Sequence, residues 1–172
     1  MRIICTEYPT DQDWIACKER ALVTVGLKIK NPPNDKWKQD ILRARHSPIR
    51  RLRFSFILEG IPSWVSVHLA RHIHAQPYIK SQRNDRQQEY DRTKAPQDMP
   101  INMIWDMNAE ELMIIANKRL CNQASPETQH IVKLMCDEVL KTNPEFKEFL
   151  VPMCLYTGKC KEMYPCKKEL IK

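Results

Sequence analysis

The chain has 172 residues, 42% of them hydrophobic and 28% charged, which suits one domain with a real core and excludes both a disordered chain and two full domains. A net charge of +7 marks a basic surface that attracts anions, whether nucleic acid, acidic lipid or phosphorylated small molecules. Twelve prolines against three glycines point to punctuated loops with few flexible hinges.

The opening residues, Met1-Arg2-Ile3-Ile4-Cys5-Thr6-Glu7, meet charge before a long apolar run develops, so no signal peptide is read there. No stretch approaches the length of a membrane span, and the cytoplasm is the expected compartment. Seven cysteines are expected to be reduced there, and an odd number cannot all pair within one chain.

Arg2 to Glu7 reads as a short strand closed by Pro9. Thr10-Asp11 can cap a helix running to about Val25, with Trp14, Ala21, Leu22 and Val25 on its stripe. Asp35 can cap a second helix through Trp37, Ile41 and Leu42, ended by Ser47-Pro48. Leu52 to Leu58 reads as a strand, Glu59-Gly60 as a turn, and Pro62 as the first turn of a helix reaching His72. From His74 to Pro100 no apolar periodicity is visible, which predicts a long loop. Ile101 to Met107 predicts a strand, and Asn108 caps a helix to about Cys121, with Glu110 and Glu111 in its first turn. Ser125-Pro126-Glu127 starts a further helix carrying Ile131, Leu134, Met135 and Val139. The whole is one domain, 1–172, with a less regular, cysteine-containing tail at about 144–172.

The most informative segment is Arg71-His72-Ile73-His74-Ala75-Gln76-Pro77-Tyr78-Ile79-Lys80-Ser81-Gln82-Arg83. A helix ends in Arg-His, and the chain then offers a hydroxyl, an amide and a guanidinium within three residues. A phosphate monoester is held this way: Arg forks onto two oxygens while Ser and backbone amides take the rest. A polar solvated loop has the same composition, and both readings stay open. Arg119 lies on the apolar stripe of Leu112, Ile115 and Ala116. A guanidinium there wants an anion or carbonyl partner, unless it snorkels at the helix end.

Other constellations carry less. His68 and His72 share metal-ligand spacing on a helix face, but an Arg stands between them and no glutamate base does, so no metal site is assigned. Cys154, Cys160 and Cys166 lack the close pairs of structural zinc sites and read as buried or free thiols. Arg43, Arg45, Arg50, Arg51 and Arg53 form a basic run around His46. It reads as a nucleic-acid backbone contact, an attractor of a polyanionic cofactor such as folate polyglutamate, or a solvated face. No nucleic-acid module surrounds it.

The spacing of Arg71, His72, Ser81 and Arg83 resembles the flavin-dependent thymidylate synthase family, which carries Arg-His-Arg followed at fixed distance by Ser-x-Arg. His46-Ser47-Pro48, Phe54-Ser55-Phe56 and Glu59-Gly60 upstream are similar to the family in order. So are Met107 to Leu112, Arg119-Leu120-Cys121 with Ala124, and the tail Pro152-Met153-Cys154 with Gly158-Lys159-Cys160 and Cys166. The resemblance implies an α+β fold, a small mixed sheet flanked by helices like that of thymidylate synthase complementing proteins. It implies dUMP as substrate, bound by Ser81, Gln82, Arg83, Arg119 and His68, with Arg119 also catalytic through polarising the pyrimidine. Arg71, His72 and His74 would bind FAD, with methylenetetrahydrofolate and NADPH as co-substrates and a homotetramer as the assembly. The alternatives are a nucleotide-binding relative without flavin chemistry, or a variant making another 5-substituted pyrimidine nucleotide.

The departures are specific. Ile73 stands in the triplet's third place, Ile79 and Lys80 where an acid is expected, Asn84 for a Tyr, Arg50-Arg51 for a Glu-His pair, and Ile114 for a flavin-contacting Asn. The connection from Arg83 to Asn108 is shorter than in typical members. Nucleotide positions therefore outlast flavin positions, and weak flavin binding is expected.

Overall fold

The computed structural model describes residues 1–83, 85, 91 and 93–166. Alternation of side chains decides its sheet. In β2 (Arg53–Pro62), Phe54, Phe56 and Leu58 are buried between less buried neighbours. In β4 (Pro100–Asn108), Ile101, Met103, Trp105 and Met107 do the same. A period of two gives each strand one core face. With β1 (Arg2–Glu7) and β3 (Gln76–Ile79) they form a four-stranded sheet in the order β1-β2-β4-β3.

The expected α+β class holds, but among the described residues every pairing is antiparallel, where a mixed sheet was expected. The physical reason lies in the second face, where Arg2, Thr6, Gln76, Tyr78, Asn102 and Ile104 are exposed. An antiparallel sheet tolerates one face in water, whereas parallel strands need both covered.

The longer helices begin at side-chain caps. α1 (Asp11–Val23) has a capping box between Thr10 and Asp13. α2 (Asp35–Ala44) is capped by Asn34, one residue before the Asp35 expected for that role. α3 (Ser63–Leu69) follows β2 directly. Asn108 caps α4 (Ala109–Arg119), and Ser125 caps α5 (Pro126–Thr142) with Pro126 at its first position. A short α6 (Met153–Thr157) stands in the tail, ended by Gly158 in the left-handed region at φ 73°. The helices bury Trp14, Leu42, Leu69, Leu112, Ile131 and Val139 in one core with the sheet's inner face.

Three local expectations change. Glu59-Gly60 is no turn: Gly60, at φ 68°, supplies a bulge, and the strand runs on to Pro62. α3 stops at Leu69 instead of His72, where the chain bends to bring residues 76–79 beside β4. That pairing makes β3 a strand inside the expected loop. Pro77 hides it from sequence reading, and β3 tolerates the proline because it sits at the sheet edge. Asn84 and residues 86–90, 92 and 167–172, parts of the expected loop and tail, lie outside the described residues.

The tail is tied down by buried polar contacts. Asn117, fully buried on α4, donates to the carbonyls of Phe149 (3.1 Å) and Val151 (2.6 Å) and accepts from Arg45. The Arg45 guanidinium also lies 4.7 Å from the Tyr156 ring.

Candidate functional site

The inward stripe of α4 ends in Arg119, whose side chain is held rather than free. Its Nε donates to His72 Nε2 (3.0 Å), and its Nη2 donates to the His68 carbonyl at the end of α3 (2.8 Å). His72 Nδ1 in turn lies 3.2 Å from Glu111 Oε1. The His72 and Glu111 side chains are 10% and 4% exposed, so this chain of contacts is largely screened from water. The His72 ring also meets Trp105, centroid to centroid 6.2 Å, and thereby rests on the core. Burial first, and then the like charge of Arg71, lowers the Arg119 pKa from its ordinary value.

Arg119 and His72 line a cleft of 250 Å³, together with Lys118, Cys121, Gln123, Ala124 and Glu162. Glu162 comes from the tail, which is fastened where Gln123 Nε2 donates to the Tyr164 carbonyl (2.7 Å). The cleft therefore has a cationic wall and an acidic neighbour.

The Ser81–Arg83 segment is placed by β3. Lys80 N–H donates to the Asn102 carbonyl (2.9 Å), extending the edge pairing, and Gln82 Nε2 donates to Ser63 Oγ at the start of α3 (3.0 Å). Ser81 Oγ accepts from the Arg83 N–H (3.3 Å). The exposed Arg83 guanidinium forks onto Asp85, Nε to Oδ1 at 2.9 Å and Nη2 to Oδ2 at 2.6 Å. That two-point geometry is also the one a phosphate monoester requires.

α3 thus carries the two groups at its two ends, Gln82 at Ser63 and Arg119 at His68. Seven helical residues span about 10 Å. Among the described residues, no contact joins Arg119 to Ser81, Gln82 or Arg83 directly. Of the other candidates, His68 offers its carbonyl to Arg119 while its ring packs edge-on against Trp64, centroids 5.2 Å apart. Arg71 and His74 are exposed on the turn after α3. His72 faces inward with both ring nitrogens engaged. The helical His68–His72 spacing is not realised, since α3 ends between them.

Sequence reasoning missed Glu111, which it placed only as a first-turn acid. The signal was available: 111, 115 and 119 are spaced i, i+4 and i+8, so Glu111 shares the Arg119 face. The basic run around His46 is largely internally paired. Arg43 meets Glu148, Arg50 meets Glu110 and Arg51 meets Asp13. Cys5, Cys17, Cys121, Cys136, Cys154 and Cys160 are free thiols, and burial pushes Cys17 and Cys136 up to about 12, which keeps them neutral.

Among known proteins, residues 84–145 match the family described as "Thymidylate synthase complementing protein". No curated protein matches the sequence. Two solved structures of flavin-dependent thymidylate synthase ThyX from Helicobacter pylori, each complexed with FAD and dUMP, share the fold. One is 18% identical at a TM-score of 0.68, with 87% of this chain and 98% of that chain covered. The other is 19% identical at a TM-score of 0.68, with 90% and 99% covered. The chain is ThyX-like in fold, and residues 84–145, about a third of it, carry the matching family pattern.

Proposed function

We propose that this ThyX-like chain binds a pyrimidine deoxynucleotide monophosphate, dUMP. Ser81, Gln82 and Arg83 take the phosphate, and Arg119, with His68 beside it, faces the base. The observation that carries this reading is the state of Arg119. It is partly buried and fixed by two acceptors beside a cleft, with Arg71 close enough to perturb it. Two like charges at such a spot are relieved by an anion or a polarisable carbonyl between them. The Arg83 fork, already shaped around a carboxylate, supports the phosphate end.

Replacing Arg83 by Ala removes a charge-assisted contact of about 1.5–3 kcal/mol, or roughly ten- to a hundredfold in affinity. Calorimetric titration of dUMP into wild type and Arg83→Ala reads this directly. Equal affinities would remove Arg83 from the site.

Because the described contacts leave the phosphate and base groups at opposite ends of α3, the assembly matters. The reading includes a homotetramer in which copies complete one another's sites. Light scattering at micromolar concentration is expected to give four times the chain mass of 20.4 kDa. A monomer would count strongly against a shared site.

Flavin fits these residues poorly. A dinucleotide needs cationic donors for its pyrophosphate and polar contacts for its ring. Both His72 nitrogens are taken, Ile73 and Ile79 stand exposed, and Ile114 is half-buried at the third diverged position. A second reading is a full flavin-dependent thymidylate synthase using methylenetetrahydrofolate and NADPH, located in the cytoplasm. It is favoured by the exposure of Arg71 and His74 on one turn. A visible absorbance spectrum of purified protein, with and without added FAD, separates the two. No helix among the described residues is long and apolar enough to cross a membrane.

A further inference from the structure

We infer that Glu111 is a positioning residue: acting through His72, it fixes the imidazole tautomer that holds Arg119 toward the nucleotide base. The inference rests on the reading of Arg119 as the base-facing group.

Hydrogen-bond roles decide the tautomer. A guanidinium has N–H donors and no acceptor, so the His72 Nε2 that receives Arg119 Nε at 3.0 Å must present its lone pair. The ring proton of neutral His72 then sits on Nδ1, which faces Glu111 Oε1 at 3.2 Å. An ionised carboxylate only accepts, so Glu111 selects that tautomer and no other. The sequence of charges is carboxylate, neutral ring, guanidinium, and the buried anion offsets the cation across the imidazole.

The backbone makes the relay rigid. Glu111 sits in the first turn of α4, its N–H donating to the Asn108 cap (2.9 Å), and Arg119 ends the same helix. His72 is set against Trp105 in β4. With Nε committed to His72 and Nη2 to the His68 carbonyl, Arg119 keeps Nη1 unengaged among the described residues. A fork held at two points presents its third nitrogen in one direction. An unheld Arg would lose that orientation and the affinity that depends on it.

Glutamine at 111 is the discriminating change because it keeps the shape but can also donate. An amide can accept from Nδ1–H or donate to Nδ1, so position 111 no longer selects one tautomer, and whenever the ring proton moves to Nε2 it faces the Arg119 N–H donor to donor. Replacing the carboxylate therefore loosens Arg119 without deleting it.

The first test is the histidine nitrogen NMR spectrum of uniformly labelled wild type, with His72 assigned by its disappearance in His72→Asn. The expected result is an Nδ1-protonated ring, shifting toward Nε2–H in Glu111→Gln. An Nε2-protonated His72 in wild type would overturn the inference, and this reading needs no nucleotide. The second test compares dUMP with 2-deoxyribose 5-phosphate by calorimetry. Glu111→Gln is expected to weaken dUMP by about tenfold while leaving the base-free phosphate within about twofold. Equal losses for both ligands would mean general loosening and would defeat the positioning role. If wild type binds no dUMP, the nucleotide reading fails and the role toward a base fails with it. The tautomer measurement still separates that outcome from an error in the relay itself.

Discussion

Purified protein is expected to lose flavin on extensive dialysis and to bind added FAD at least about a hundredfold more weakly than the Helicobacter enzyme measured beside it. Three aliphatic side chains, at 73, 79 and 114, stand where the resemblance leads one to expect polar contacts, and an isoleucine neither pairs with a pyrophosphate nor bonds a ring nitrogen. Each missing hydrogen bond costs about 1 kcal/mol, and three together amount to roughly a hundredfold. His72 cannot compensate while its two nitrogens serve Glu111 and Arg119. Ile73 is 84% exposed, so Ile73→Arg restores a cation without disturbing the core and is expected to recover part of the affinity. Fluorescence titration of FAD into both proteins gives the comparison. A yellow protein that keeps its colour through dialysis would overturn the expectation and move the balance to the full synthase.

Trp105→Ala is expected to destabilise the fold by about 3–5 kcal/mol, the range for emptying a buried aromatic site. For a chain of this size that lowers the melting temperature by roughly 6–20 °C. Trp105 is fully buried at the centre of β4, paired in register with Phe56 of β2 and Pro77 of β3, and it carries the His72 ring. Its loss therefore opens the core under the site as well as the sheet. Trp105→Phe gives the contrast. The indole Nε1 is buried without a partner, so phenylalanine keeps most of the apolar contact and removes an unsatisfied donor. It is expected to stay within about 1.5 kcal/mol of wild type. Thermal melts of the two variants test this pair, and similar losses in both would contradict it.

Several features are legible in residue type alone. The alternating run after Leu52 and the one after Ile101 became β2 and β4, because period-two burial is written directly in residue type. Thr10, Asn108 and Ser125 announced three helices, because a capping hydroxyl or amide acts within its own turn. The inward placement of Arg119 followed from its stripe, again a local matter of helical spacing. The same logic failed where partners are distant. Gln76–Ile79 lacks strand character and becomes a strand only because β4 offers it an edge. Gly60 reads as a turn residue, yet strand pairing on both sides of it makes it a bulge.

Local sequence sufficed for β1, β2 and β4, for the capped helices α1, α4 and α5 and for the basic charge, all of which depend on residue types within a few positions. Tertiary structure alone decided what the site-bearing residues touch. His72 lies 39 residues from Glu111 and 47 from Arg119, and no local pattern records that their side chains meet. The contact exists because β4 carries α4 back across the end of α3, and the low-dielectric ground beneath it favours a satisfied donor and acceptor over an unpaired one.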